Sequence, residues 1–220
     1  MNALKVELLS CTPADHIRGA LGGMDLPDAE LLPHLSYTFA IERISRSCSH
    51  QLVRHRVASY AQQSQRFIEV ERLREHTVVP ETASERAPDV FDAYIEAASR
   101  TYHGLLERGV PREDARFVLP NATETSLLMT MDGRSLLHFL GLRCCNRAQW
   151  EIKALADAML AQVRAAEPGL FRGAGPYCYQ LGRCPEGRFS CGRVQEVRDR
   201  YSRLALAEHG DSGSTRAASD

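Results

Sequence analysis

The side chains best suited to chemistry in this chain crowd between residues 51 and 66. Arg54, His55 and Arg56 stand in a row, Ser59, Ser64 and Arg66 follow, and Gln51, Gln62, Gln63 and Gln65 are interleaved, with no acidic residue before Glu69. Arginine forks joined by short hydroxyl donors are the side chains that hold phosphate oxygens best. Arg54 and Arg56, two positions apart, diverge and can serve two anions or two sides of one ligand. Glutamine amides carry a donor and an acceptor together, as the edge of a planar heterocycle requires. A solvated basic patch, or a helix end set against its own dipole, is the competing reading of the same residues. Ser64 has no neighbouring base to activate it, so it reads as a binding group and not as a nucleophile.

A second constellation is made of sulfur. Cys178, Cys184 and Cys191 follow one another at intervals of five and six intervening residues, and Cys144 or Cys145 brought near them would complete a set of thiolates able to hold zinc. The paired C-x-x-C spacing of common zinc modules is missing, and free thiols packed as small apolar groups remain the alternative. Cys11 and Cys48 read as ordinary buried thiols. Trp150, with Ile152, Leu155 and Met159, reads as the core stripe of a helix, and His50 and His103 as structural or surface histidines.

These groups need a scaffold, and the composition supplies one. The chain has 220 residues, 44% of them hydrophobic, enough for a substantial core. Its 27 basic and 28 acidic residues leave a net charge of −1, which excludes a general nucleic-acid coat. No apolar run reaches the 18 residues of a membrane span, and the first residues lack the basic flank and long apolar stretch of a signal peptide. Seven cysteines, an odd number, suit the thiols or metal ligands of a reducing compartment, and the expected location is the cytoplasm.

Alternation predicts strands over 4–10, 36–42, 64–70 and 125–131, the last followed by an Asp132-Gly133 turn. Ile44, Cys48 and Leu52 recur every four residues and predict a helix that delivers its C-terminal end to Arg54. Residues 71–87 read as an irregular connection. Pro88 opens and Gly109 closes a long helix with an apolar stripe of Val90, Phe91, Tyr94, Ile95, Ala98, Tyr102 and Leu105. Further helices are expected over 112–119, 134–142, 146–167 and about 197–206. With no strict βαβ alternation and no Gly-rich dinucleotide fingerprint, the expectation is α+β: a single domain over 1–209 that mixes a mostly antiparallel sheet with long helices. Residues 210–220 read as a disordered tail.

The stretch 54–66 also matches, without a gap, the pattern RHRxxSxxxxSxR at Arg54, His55, Arg56, Ser59, Ser64 and Arg66. In this it resembles the flavin-dependent thymidylate synthases. The resemblance runs from about His34 to Glu151 through HLSYTF, HQLVRHR, ARFVLPNATET and GRSLLHFLGLRCCNRAQWEI. It implies that family's α+β fold, and a homotetramer with active sites between subunits. It also implies FAD, with NADPH and 5,10-methylenetetrahydrofolate as co-substrates, and methylation of a uridine monophosphate nucleotide at C5. Carried over by motif, Gln51, Arg54, Ser64, Gln65, Arg66 and Arg116 fall at nucleotide-binding positions. Arg54, His55, Arg56, Gln62, Asp132, Gly133, Arg134, His138 and Arg147 fall at flavin-side positions. Arg143 falls at the position assigned to activating the pyrimidine. An arginine cannot serve as a free base at neutral pH, so its role there is to stabilise negative charge developing on the ring.

Two departures stand out: Pro33 where the family usually has Glu before the histidine, and Asp132-Gly133-Arg134 where it often has Asn-Ala-Arg. They motivate a second reading, a specialised UMP C5-methylase of nucleoside-antibiotic biosynthesis, beside dUMP as the default substrate. A reading of another class is a nucleotide- or RNA-binding module without catalysis. The complete 54–66 motif, the retained Arg143 and the lack of a broad basic surface speak against it. No nucleic-acid or membrane partner is expected.

Overall fold

A computed structural model gives the structure of the chain, and it describes residues 4–20, 22 and 26–207. The expected tail over 210–220 lies outside the described residues. Four strands, β1 (Lys5–Cys11), β2 (Ser36–Ser45), β3 (Ser59–Gln62) and β4 (Glu124–Asp132), form a sheet in the order β1-β2-β4-β3. The helices are α1 (Ala14–Ala20), α2 (Asp28–Leu31), α3 (Arg46–Leu52), α4 (Glu81–Arg86), α5 (Pro88–Leu106) and α6 (Arg112–Ala115), then α7 (Gly133–Arg143), α8 (Trp150–Ala166), α9 (Pro168–Phe171), α10 (Tyr177–Gln180) and α11 (Val194–Ala207). The mixture of helices with an antiparallel sheet is the α+β class expected. No described helix is long and apolar enough to cross a membrane.

The described residues cluster into two compact units, one of residues 4–5 with Ala40–Met129, the other of those within Val6–Phe39 with those from Thr130 to Ala207. In the first, Ile41, Leu127 and Met129 alternate inward on β2 and β4. The four-residue spacing of Ile44, Cys48 and Leu52 holds as burial, since all three are fully buried, but Ile44 belongs to β2 and the helix starts two residues later. Ser45 makes the switch: its hydroxyl accepts from the Cys48 backbone N–H at 3.0 Å, an N-cap worth about 1 kcal/mol.

The strand expected over 64–70 is instead β3, at 59–62. Residues 64–68 fold into a turn because the Ser64 carbonyl accepts from both Phe67 N–H and Ile68 N–H (3.3 and 3.2 Å). On α5, Ile95, Ala98 and Tyr102 are buried, whereas Val90 (66% exposed) and Tyr94 (56%) point outward, so the buried stripe is narrower than the apolar content suggested. Ile95 and Ala98 close a small cluster with Leu73, Val70, Phe91 and Leu119. The connection over 71–87 holds the short α4. The helix expected over 112–119 is α6 followed by a 3-10 turn, Arg116–Val118, a common way for a helix to end.

In the second unit, Tyr37 and Phe39 are fully buried, and the Tyr37 ring meets Phe171 edge-on at 5.3 Å. Asp132 and Gly133 do not form a hairpin turn. Asp132 ends β4 and caps α7, accepting from Ser135 N (2.9 Å) and Ser135 Oγ (2.6 Å). Gly133 is required by packing: a Cβ there would stand 2.8 Å from Leu32 Cδ2 and 2.9 Å from the Leu32 carbonyl oxygen. Helix α8 starts at Trp150, not 146, because the Gln149 side chain accepts from Glu151 N and Ile152 N, both at 3.1 Å. Ile152, Leu155 and Met159 are fully buried as expected, but Trp150 is 50% exposed. Two residues before Ile152, it lies about 200° round the helix from that stripe. Lys153 and Asp157 of α8 hold the buried Tyr201 of α11. The Tyr201 hydroxyl lies 2.6 Å from Asp157 Oδ1 and accepts from Lys153 Nζ at 3.0 Å.

Candidate active site

The run of basic residues is presented by a tight turn that follows α3. Backbone hydrogen bonds tie Arg54 N to Gln51 O (3.3 Å), His55 N to Leu52 O (3.1 Å) and Ala58 N to His55 O (3.1 Å). Tyr60, on β3, locks it from beneath: its hydroxyl lies 2.8 Å from the Leu52 carbonyl oxygen and 3.2 Å from that of His55. Burial pushes the Tyr60 phenol up to about 12, so it remains the protonated donor this geometry requires. The turn sorts the three side chains: Arg54 and Arg56 are exposed, while His55 between them is 8% exposed. Gln51 lies on α3 and donates to the Ser47 carbonyl at 3.4 Å.

Along β3, Ser59 is exposed and Gln62 Nε2 donates to Thr125 Oγ1 at 3.2 Å. Beyond the strand, Ser64 Oγ accepts from the Arg66 backbone N–H at 3.3 Å. The Arg66 guanidinium is turned onto Glu113, with Nε and Nη2 at 3.0 and 2.6 Å from one carboxylate oxygen. Ser64 and Gln65 line a cavity of about 250 Å3 with Glu42, Arg43, Gln63 and Thr125. Arg43 sits in β2 with φ of 61°, a left-handed conformation that non-glycine residues rarely adopt.

Gln65 reaches a second hollow, of about 220 Å3, which it shares with Arg46, His50, Arg116, Phe117 and Asn121. No carboxylate lines it. Burial, and then the charge of Arg116, depress the pKa of Arg46. Phe117 is 82% exposed at the rim. Gln65 Nε2 is buried and has no hydrogen-bond partner. A buried amide donor without an acceptor costs stability, and an acceptor on a bound ligand removes that cost.

The residues expected on the flavin side, Asp132, Gly133, Arg134, His138 and Arg147, and Arg143 itself, belong to the second unit. The Asp132 carboxylate is consumed by the helix cap described above. Arg134 is exposed and donates to the Ala29 carbonyl at 2.9 Å. His138 Nδ1 is 2.5 Å from the Tyr177 hydroxyl. Arg143 ends α7 and lines a cavity of about 280 Å3 with Arg147, Tyr177 and the cysteines Cys145, Cys178, Cys184 and Cys191. Cys144 is not among them. It is buried, and burial together with Asp157 pushes its thiol well above the usual range.

In the first unit Arg54, His55 and Arg56 share the turn, Ser64 and Gln65 line one hollow and Gln65 and Arg116 the other, whereas Gln51, Gln62 and Arg66 line neither of the two. Arg43 and Arg46 were passed over in the sequence, where each is one basic residue near a strand end, with no motif around it. Exposed arginine forks, an acid-free hollow and a buried unpaired amide suit an anionic ligand that carries a hydrogen-bonding ring. Ser64 Oγ faces the Arg66 backbone N–H rather than a base.

Comparison with known proteins agrees. The family model described as thymidylate synthase complementing protein matches residues 24–169. A flavin-dependent thymidylate synthase of Geobacter sulfurreducens is 50% identical over 185 residues, 83% of this chain and 79% of that protein. Thymidylate synthase X of Helicobacter pylori, in a crystal structure with FAD and dUMP, superposes with a TM-score of 0.63 at 25% identity, over 77% of this chain and 97% of that one. The fold is shared as well with a UMP/dUMP methylase, PolB, of Streptomyces cacaoi (TM-score 0.65, 24% identity, 78% and 94% covered). The chain belongs to the flavin-dependent thymidylate synthase family.

Proposed function

We propose that this protein converts dUMP to dTMP by reductive methylation at C5. In this reading 5,10-methylenetetrahydrofolate donates the carbon, and FAD is the bound cofactor, reduced by NADPH. The observation that carries the nucleotide assignment is the partnerless Gln65 amide, buried where the acid-free hollow of Arg46, His50 and Arg116 meets the cavity lined by Ser64. Arg46, Arg54, Arg66 and Arg116 hold the phosphate and ribose side, with Gln51, Ser64 and Gln65 as neutral donors. Arg143 stabilises negative charge as it develops at N3 and O2 of the pyrimidine, which makes C5 nucleophilic.

The donor set also suits a flavin dinucleotide. Arg54, Arg56, Arg134 and Arg147 are exposed cations, His55 and Gln62 stand beside them in sequence or strand, and His138 is fixed by Tyr177. The one carboxylate at these positions, Asp132, is spent on the α7 cap, so it need not repel a pyrophosphate. A flavin held there would supply reducing equivalents, and the chain's own residues would orient the rings and balance their charge. Residues 1–209 form the catalytic domain of this reading, acting as a cytoplasmic homotetramer with its active sites between subunits, with no nucleic-acid or membrane partner.

Both departures from the family pattern have local explanations. Pro33 occupies the first turn of a 3-10 helix, Leu32–His34, where its missing N–H costs nothing; Asp132 is a cap; Gly133 is demanded by Leu32. They therefore do not favour ribose over deoxyribose, and dUMP stays ahead of UMP. Incubation with NADPH, methylenetetrahydrofolate and each nucleotide, read by mass spectrometry, tests this: dTMP is expected. Methylation of UMP in preference would establish the specialised enzyme. No methylated product, from protein that also fails to take up FAD, would leave the nucleotide-binding module.

A further inference from the structure

The cavity beside Arg143 is lined by four of the chain's seven cysteines, drawn from separate stretches. Cys145 lies just beyond α7, Cys178 in α10, Cys184 in the turn after it, and Cys191 ahead of α11. All four are free thiols. All four line one cavity, and each of the other three stands within electrostatic reach of Cys178. The neighbouring Cys144 is directed elsewhere, onto Asp157 and Tyr201.

The segment that carries two of these cysteines has no core of its own. Between Leu181 and Arg193 no residue is buried, and its large apolar side chains, Leu181 and Phe189, are each 53% exposed. Cys184, Ser190 and Cys191 are the only partly covered residues in it. Its regular structure is one 3-10 turn, Gly187–Phe189, and it bends at Gly182, Gly187 and Gly192, each at positive φ. A loop of this length that buries no apolar surface gains nothing to offset the entropy of its ordering, unless another tie supplies it. Small segments of that kind are held by disulfides or by a metal.

We infer that Cys145, Cys178, Cys184 and Cys191 form a structural zinc site that fastens the 181–193 segment to the end of α7. An all-sulfur set of four selects a soft ion with tetrahedral preference. Binding breaks four S–H bonds, forms four Zn–S bonds and releases four protons to solvent, with no change of oxidation state. Among the described residues no three ligating side chains already stand at metal-holding separation, so binding draws the Cys184 and Cys191 turns inward. The resulting centre carries two negative charges, and its surroundings are cationic: Arg143 and Arg147 line the cavity, and Arg183, Arg188 and Arg193 punctuate the segment against a single acid, Glu186. The inference does not rest on the methylation reading, since a bound ion is measured without turnover.

The experiment is metal analysis of the full chain, purified without a metal-affinity step, by plasma mass spectrometry. About one zinc per chain is expected. Replacement by Co2+ should give the intense visible bands of a tetrahedral site with sulfur-to-cobalt charge transfer. Cys191→Ser and Cys184→Ser should each lose the zinc, and Cys144→Ser should keep it. Wild-type protein is the control for variants that fold poorly: chelator treatment should raise the number of thiols that react with a disulfide reagent. Wild-type chain free of zinc, with its thiols reactive before chelation, would overturn the inference. So would a mass two hydrogens short, indicating a disulfide, or a brown iron–sulfur chromophore in place of zinc.

Discussion

Arg46 and Arg116 stand close enough for the charge of one to depress the pKa of the other, and no carboxylate lines the hollow they share. Two like charges held together without a counter-ion are a liability in the free protein. They become an asset only when an anion arrives.

That relationship separates binding from stability. Arg46→Gln should weaken dUMP binding about tenfold, equivalent to about 1.4 kcal/mol, and should flatten its salt dependence, while the melting temperature stays level or rises as the repulsion is relieved. Titration calorimetry at two salt concentrations, beside a thermal melt, gives both readouts. Unchanged affinity would remove this hollow from the phosphate site.

Tyr60→Phe deletes the hydroxyl beneath the Arg54–Arg56 turn and should cost about 1 kcal/mol of stability, with a larger proportional loss of ligand affinity as the arginines lose their fixed presentation. Because the folded phenol titrates at about 12 against an ordinary 10.0, its contribution is complete below pH 10 and is lost as the pH rises from there through 12. The difference in stability between wild type and variant should therefore shrink across that window in alkaline unfolding titrations.

If Arg143 has the role proposed for it, Arg143→Ala should lower turnover by about 100-fold or more while bound flavin and melting temperature stay near wild type, since the interaction lost would be with charge that develops only during reaction. Flavin absorbance and steady-state kinetics check this together. An Arg143→Ala enzyme of normal kcat would remove this residue from the chemistry.

At the start of α7, Asp132→Ala should destabilise by about 1 kcal/mol and Asp132→Asn by much less, since asparagine also caps. Gly133→Ala should cost about 1–3 kcal/mol, because the Leu32 carbonyl oxygen is backbone and cannot move aside as a side-chain tip would. Chemical denaturation measures all three. A tolerant Gly133→Ala would instead mean that the Leu32 turn shifts.

Much of this was legible before any coordinates. The 54–66 motif named the family, and the α+β class and the long helices α5 and α8 followed from periodicity and punctuation. What periodicity could not show was where hydrogen bonds overrule it. Residues 64–70 alternate like a strand, but the Ser64 carbonyl and hydroxyl fold them into a turn. Asp132-Gly133 has the composition of a hairpin turn, yet a capping carboxylate and a close contact with Leu32 make it a strand-to-helix junction. Trp150 shares the apolar character of Ile152 and Leu155, and only its phase on the helix exposes it. Arg43 and Arg46 were illegible because a lone arginine acquires meaning from its neighbours in space. The choice between Cys144 and Cys145, adjacent and chemically identical in sequence, likewise needed the cavity.

The Tyr177 ring lies against Gly141 so closely that a Cβ at 141 would stand 2.7–2.9 Å from three of its carbons, while its hydroxyl holds His138 one turn earlier on α7. The C-terminal segment is therefore not a module that can be exchanged at will. A chimera that imports this segment from a relative must import residues 138 and 141 with it, and across the family positions 141 and 177 should covary, a larger residue at the first accompanying a smaller one at the second.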